Sequence, residues 1–196
     1  MDPRDTAVRR LLDRYLVEVV ERYGLCPWAA GARQAGEVDV RVLWGQPAPA
    51  AWSTAARELL ARAPVRVAIV VAPEWRGALD AMRDAVTSAL PDVGVAAFHP
   101  DAPLDLATPA RLVSFLRRSP DPMLQVVPLA VLSALRGEAG EPGLAHQAAM
   151  LGGHARPRKA PIADRVAAIN FETVVRDRAA IEATLADIAA DRARSY

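Results

Sequence analysis

Three short apolar runs rich in β-branched residues, at 38–44, 65–71 and 93–98, are separated by stretches with helical spacing, and this alternation constrains the fold more than any other feature. The run at 38–44 alternates like a half-buried strand, and the run at 65–71 is the strongest strand signal in the chain, ended by Ala72 and Pro73. Between them a short helix spans 52–62 and closes before Pro64; a second helix covers about 75–90. An order of strand, helix, strand, helix, strand requires right-handed crossovers and predicts a largely parallel core sheet, with helices over at least one face. After a helix near 109–116 and a turn-rich stretch at 117–122, residues 123–127 form a fourth strand, whose direction the sequence leaves open. The expectation is a single α/β domain: a mostly parallel sheet of about four strands flanked by helices, with helices at its N- and C-terminal ends.

The first helix is capped by Asp2, opened by Pro3 and favoured by Asp5 near its positive end. Val8, Leu11, Leu12, Tyr15, Leu16, Val19 and Tyr23 recur along one face as core, and Gly24 supplies the left-handed stop. Residues 128–135 are helical, and 137–161 read as a long loop without periodicity. The segment 162–196 is helical and expected to pack on the core formed by 1–136. Its early stripe of Ile162, Val166 and Ile169 is out of phase with Ile181, Leu185 and Ile188, which predicts a break near Asn170.

At 196 residues the chain suits one core that needs neither disulfide nor structural metal. Twenty-four basic residues against 23 acidic ones give +1, which argues against a protein built to bind nucleic-acid phosphates. A single cysteine fits a reducing compartment and is also compatible with export as a free thiol. No basic leader with an apolar core is visible, and no stretch approaches about 18 uninterrupted apolar residues, so a cytoplasmic protein without a membrane partner is expected. Phosphate-binding glycine loops, the serine nucleophile elbow, His-Glu-x-x-His and Cys-x-x-Cys are all absent; with three histidines and one cysteine a closed zinc site would need carboxylates to complete it, and no metal-ligating set is assigned.

Chemistry concentrates at three places. Cys26, in Leu25-Cys26-Pro27-Trp28, follows the first helix; if it capped a new helix with Pro27 in the first position, its thiol would be activated, whereas a buried cysteine is inert. A Cys-Pro pair can also present a thiolate to haem iron. His99 follows the third strand, where reactive groups of a parallel sheet gather; it reads as a general base or ligand oriented by Asp101, with Asp105 nearby, or as a histidine tying down a turn. In Arg118-Ser119-Pro120-Asp121-Pro122 the stiff chain fixes a guanidinium to meet a carboxylate or phosphate, or to hold a backbone carbonyl. The basic stretch His154 to Lys159 reads either as a loop closing on an anion or as a solvated loop, and Trp28, Trp44, Trp52 and Trp75 either line a pocket or cover the core.

Together, Leu25-Cys26-Pro27-Trp28-Ala29, Phe98-His99-Pro100 and Arg118-Ser119-Pro120-x-Pro122 resemble the three boxes of an uncharacterised bacterial family, domain of unknown function 1415, over about residues 5–135. The resemblance implies that Cys26, His99, Arg118 and Ser119 share one site. The chain departs from the family after Pro122, where Gln125, Pro128 and Leu129 stand in place of a histidine, an arginine and a glutamate, and at Ala72-Pro73, where the family has His-Pro. The functional expectation is a thiol-dependent enzyme acting on an anionic small molecule, with Cys26 and His99 catalytic and Arg118, Ser119 and Asp101 binding substrate. No cofactor is identified. The alternatives are a non-catalytic haem- or metal-binding protein using Cys26 and His99, and a scaffold that binds a partner through a degenerate site.

Overall fold

The fourth strand runs against the other three, and that reversal organises the sheet. The computed structural model describes residues 2–136 and 162–196; the expected loop at 137–161 and its basic stretch lie outside the described residues. β1 (Val38–Val42), β2 (Val67–Val71), β3 (Val93–Phe98) and β4 (Met123–Pro128) stand in the order β1-β2-β4-β3. β1 and β2 pair in parallel, whereas β4 lies antiparallel to both β2 and β3. The α/β class holds, and the first three strands point the same way, but the sheet is mixed rather than mostly parallel. The reason is the return from β3 to β4: Phe98 pairs with Met123, so the chain re-enters at the edge it has just left. A parallel entry would need a full crossover to the opposite edge.

Helices cover both faces. On one, α3 (Pro49–Leu60) and α4 (Leu79–Ala89) pack Trp52, Ala56, Leu59 and Val86 onto Ala68, Val70, Leu124 and Val126. On the other, α1 (Pro3–Tyr15) and the C-terminal helix, Ile162–Ser195, set Val8, Leu11, Ile181 and Ile188 near Ile69, Val71 and Met123. β2 reads as a continuous apolar run because alternate residues face opposite covered layers. The short helices are α2 (Ala29–Gln34), α5 (Val113–Leu116) and α6 (Leu129–Arg136), so the C-terminal helix is α7. α5 is all that forms of the helix expected at 109–116, and α4 begins at Leu79 rather than Trp75. The late start follows from the Trp75 ring, which turns back edge-on to Trp52 at 5.8 Å between centroids.

Asp2 caps α1 as its position predicts, accepting the Arg4 N–H at 2.8 Å. Past Tyr15 the helix widens into a π-helical segment, Leu16–Glu21, and Gly24 stops the chain at φ 62°. The break expected near Asn170 does not occur. Asn170 donates its side-chain N–H to the Leu25 carbonyl at 3.0 Å instead of competing with its own helix, and α7 runs unbroken.

Near its C-terminal end α7 is fastened at two further places. Asp191 accepts from Arg10 at 2.6 Å and Arg14 at 2.7 Å on α1, and these guanidinium bonds hold its carboxyl well below the usual carboxylate range. At the sheet edge, Asp121 is 3 % exposed and accepts from Arg192 Nε at 2.6 Å and from the Tyr196 hydroxyl at 2.5 Å. Arg192 also donates to the Pro73 carbonyl at 2.9 Å, and Trp44 meets the Tyr196 ring edge-on. Arg192→Met leaves the Asp121 charge without its cation and should destabilise the fold by about 2–4 kcal/mol in urea titration, the lower end reflecting the partial exposure of the arginine. Burial, and then the Asp121 carboxylate, push the Tyr196 phenol upward. The protonated phenol therefore contributes stability that is full below the unfolded value near 10 and falls as pH rises beyond it. Thermal melts between pH 8 and 11 should show a smaller alkaline loss in Tyr196→Phe than in the wild type.

Candidate functional site

Cys26 opens onto a cavity of about 550 Å³ on the α1 and α7 face of the sheet. Those two helices leave the amino-terminal ends of β1 and β2 and the carboxyl end of β4 uncovered there. Val67, Ile69, Met123, Gln125 and Val127 form the floor, while Val20, Cys26, Trp28 and Ala32 line the wall contributed by the π-helical segment, the turn after it and α2. Leu132 of α6 and Phe98 also line it. Most of this surface is hydrocarbon.

Three polar groups interrupt it. Tyr15, the last residue of α1, is 2 % exposed and lines the cavity; its hydroxyl has no hydrogen-bond partner among the described residues, yet it is not sealed from solvent. Burial first, and the neighbouring Cys26 second, push its phenol well above the ordinary tyrosine value, so it stays protonated. Cys26 is a free, half-buried thiol. Gln125 projects from the middle of β4, and its carboxamide makes no side-chain hydrogen bond among the described residues. Charged groups at the rim are neutralised: Arg33 pairs with Glu21 at 2.6 Å and Arg66 with Glu37 at 3.5 Å.

The capping role expected for Cys26 is not taken. α2 starts at Ala29 behind Trp28, and Cys26 only offers its carbonyl to the Ala29 N–H at 3.2 Å, so no helix amide addresses the thiol. Nor do Cys26 and His99 form a pair. His99 lines a separate cleft of about 410 Å³ with Gly77, Asp80, Asp101, Ser114 and Arg117, on the α4 side. Side-chain alternation in β3 is the cause: Phe98 points into the Cys26 cavity, so Ala97 and His99 fall on the opposite side. His99 Nδ1 accepts the Asp101 backbone N–H at 3.0 Å, while the Asp101 carboxylate stays exposed at 3.7 Å. The ring is oriented by an amide, not by a carboxylate.

Arg118 and Ser119 are engaged by their own neighbourhood. Arg118 donates from Nε to the Ala102 carbonyl at 2.6 Å and lies over the Phe115 ring at 5.0 Å. Ser119, 4 % exposed, donates to the Asp121 carbonyl at 2.7 Å. Asp105 accepts the Ala107 N–H and pairs with Arg111. The resemblance implies one site; the structure instead places Cys26 in one cavity, His99 and Asp101 in another, and Arg118 and Ser119 in the turns that lead to β4. Among the tryptophans, Trp28 lines the cavity, Trp52 is fully buried, and Trp44 and Trp75 pack against Tyr196 and Trp52.

Two groups of the cavity escape sequence reasoning. Tyr15 falls in an apolar helical stripe and reads as core; its hydroxyl was the available signal. Gln125, a polar residue inside an otherwise apolar strand, marks a place where the sheet face is not sealed. Among the described residues no group of three or more His, Cys, Asp or Glu is placed to hold a metal ion, and no helix is long and apolar enough to cross a membrane. Comparison of the chain with family models, with curated proteins and with solved structures finds no match in any of the three.

Because they face different cavities, Cys26 should be alkylated by iodoacetamide at the same rate, within about twofold, in His99→Ala as in the wild type. Mass spectrometry of timed samples measures this. Arg118→Ala loses a charged hydrogen bond to the 99–102 turn and should cost about 1–2 kcal/mol, with faster proteolytic nicking there.

Proposed function

We propose that this chain is a non-catalytic binding protein for a small, largely apolar molecule held in the Cys26 cavity. The observation that carries the reading is a hydrocarbon-lined space of about 550 Å³ interrupted by the unpartnered Tyr15 hydroxyl and Gln125 carboxamide and by the Cys26 thiol. Ligand cavities have this size, roughly 300–1,000 Å³, and this combination of apolar walls and a few convergent polar groups. A thiol enzyme acting on an anion draws less support. It needs a base beside Cys26, whereas His99 serves another cleft, and it needs a free cation, whereas Arg33 and Arg66 are paired at the rim. A haem or metal site using Cys26 and His99 together meets the same obstacle. The unpaired thiol supports a reducing, cytoplasmic setting for the protein.

A second reading concerns the His99 cleft. Arg117 there has no side-chain ion pair or hydrogen bond among the described residues, which favours an anion; Asp80 and Asp101 line the same cleft and repel one, so this reading ranks behind the first.

Nile red, a neutral apolar dye, should bind saturably with a blue-shifted emission and slow alkylation of Cys26 by at least about tenfold. Ala32→Trp, which puts an indole into the cavity, should abolish both effects. Absence of saturable binding to the wild type would overturn the proposal.

A further inference from the structure

Building on that reading of the cavity, we infer that its ligand is neutral and carries a carbonyl acceptor, of the ketone, ester or quinone kind, that receives the Tyr15 hydroxyl while an apolar body fills the rest. The inference starts from a donor that faces the cavity with no protein partner among the described residues. Tyr15 is 2 % exposed, lines the cavity, and donates to nothing among the described residues. The hydroxyl is not among the side-chain atoms sealed from solvent without a partner, so it meets the open space of the cavity, and a ligand that displaces water there must replace the bond that water makes. A protonated phenol offers one O–H donor, and its own oxygen is the weaker partner, so an acceptor on the ligand is the complement.

Gln125 sharpens the choice. It shares the cavity, its carboxamide is unpartnered, and its N–H₂ adds a donor that a carbonyl oxygen, with two lone pairs, can accept alongside the phenol. The charge of the ligand follows from the rim. Each arginine there already faces a glutamate, so an anion meets no free cation and a cation meets no free carboxylate. Either charge would also lose its hydration against the hydrocarbon wall without a compensating partner. A body of fused rings or branched hydrocarbon suits the floor of Val67, Ile69 and Val127.

The test uses 2-acetylnaphthalene, 2-ethylnaphthalene and 2-naphthoate as competitors of Nile red on the full chain. The first two have nearly the same shape and differ by the carbonyl oxygen; the third replaces the ketone by a charge. The ketone should bind about five- to tenfold more tightly than the hydrocarbon, a factor set by one net hydrogen bond, and naphthoate should bind more weakly than the ketone. Tyr15→Phe should erase the ketone's advantage while the hydrocarbon holds its affinity within about twofold, which also reports that the variant is folded. Equal affinities for ketone and hydrocarbon in the wild type, an equal loss of both in Tyr15→Phe, or tighter binding of naphthoate would overturn the acceptor assignment and leave the cavity reading in place. If Nile red and the three competitors all fail to bind, the cavity reading itself falls.

Discussion

One buried negative charge anchors the architecture. The Asp121 carboxylate sits where β4 enters the sheet between β2 and β3, and removing it from water is unfavourable unless it is fully compensated. Arg192 and Tyr196 supply that compensation from α7, and Arg192 simultaneously satisfies the carbonyl of Pro73 beyond β2. The central antiparallel strand, the exit of a parallel strand and the longest helix therefore converge on one side chain. Ser119 and Arg118 prepare this junction. The serine closes the turn onto the Asp121 carbonyl, and the arginine ties the approach to the segment after β3.

That junction also decides where a ligand can go. In open α/β sheets the crevice beyond the carboxyl ends of the strands is the usual binding place. Here Arg192, Tyr196 and Trp44 occupy much of that edge with bonds and ring contacts of their own. The uncovered part of the sheet lies towards the opposite end, where α1 has given way to the π-helical segment and the turn after it. Cys26 belongs to that turn.

Legibility in the sequence followed the range of the interactions. Asp2, Pro3 and Gly24 act within a few residues, so the limits of the first helical region could be read from them. Strands β1 to β3 could be read because β-branched alternation is local too. The direction of β4 could not, since it depends on where a 24-residue excursion from Phe98 to Met123 returns. The out-of-phase stripes around Asn170 misled for the same reason: whether both are buried is decided by tertiary packing, and Ile169 is left 58 % exposed while Asn170 meets a carbonyl 145 residues away in sequence. The separation of Cys26 from His99 was hidden because strand parity, not proximity in motif order, assigns a side chain to a face. Tyr15 is the plainest case. Its ring belongs to the core as its spacing says, and only the packed structure shows that its hydroxyl has been left without company.

The π-helical segment carries an implication for how such chains diverge. A π turn is an α-helix holding one surplus residue, and one residue amounts to about 100° of rotation. Deleting a single position within Leu16–Glu21 would restore ideal helical winding yet swing either the Val8–Tyr15 stripe off the sheet or the Cys26 turn away from it. Insertions and deletions here are thus coupled to the identity of both flanks. Lineages descended from such a chain should vary this stretch by substitution alone, and its length becomes a marker of common ancestry that outlasts recognisable side chains.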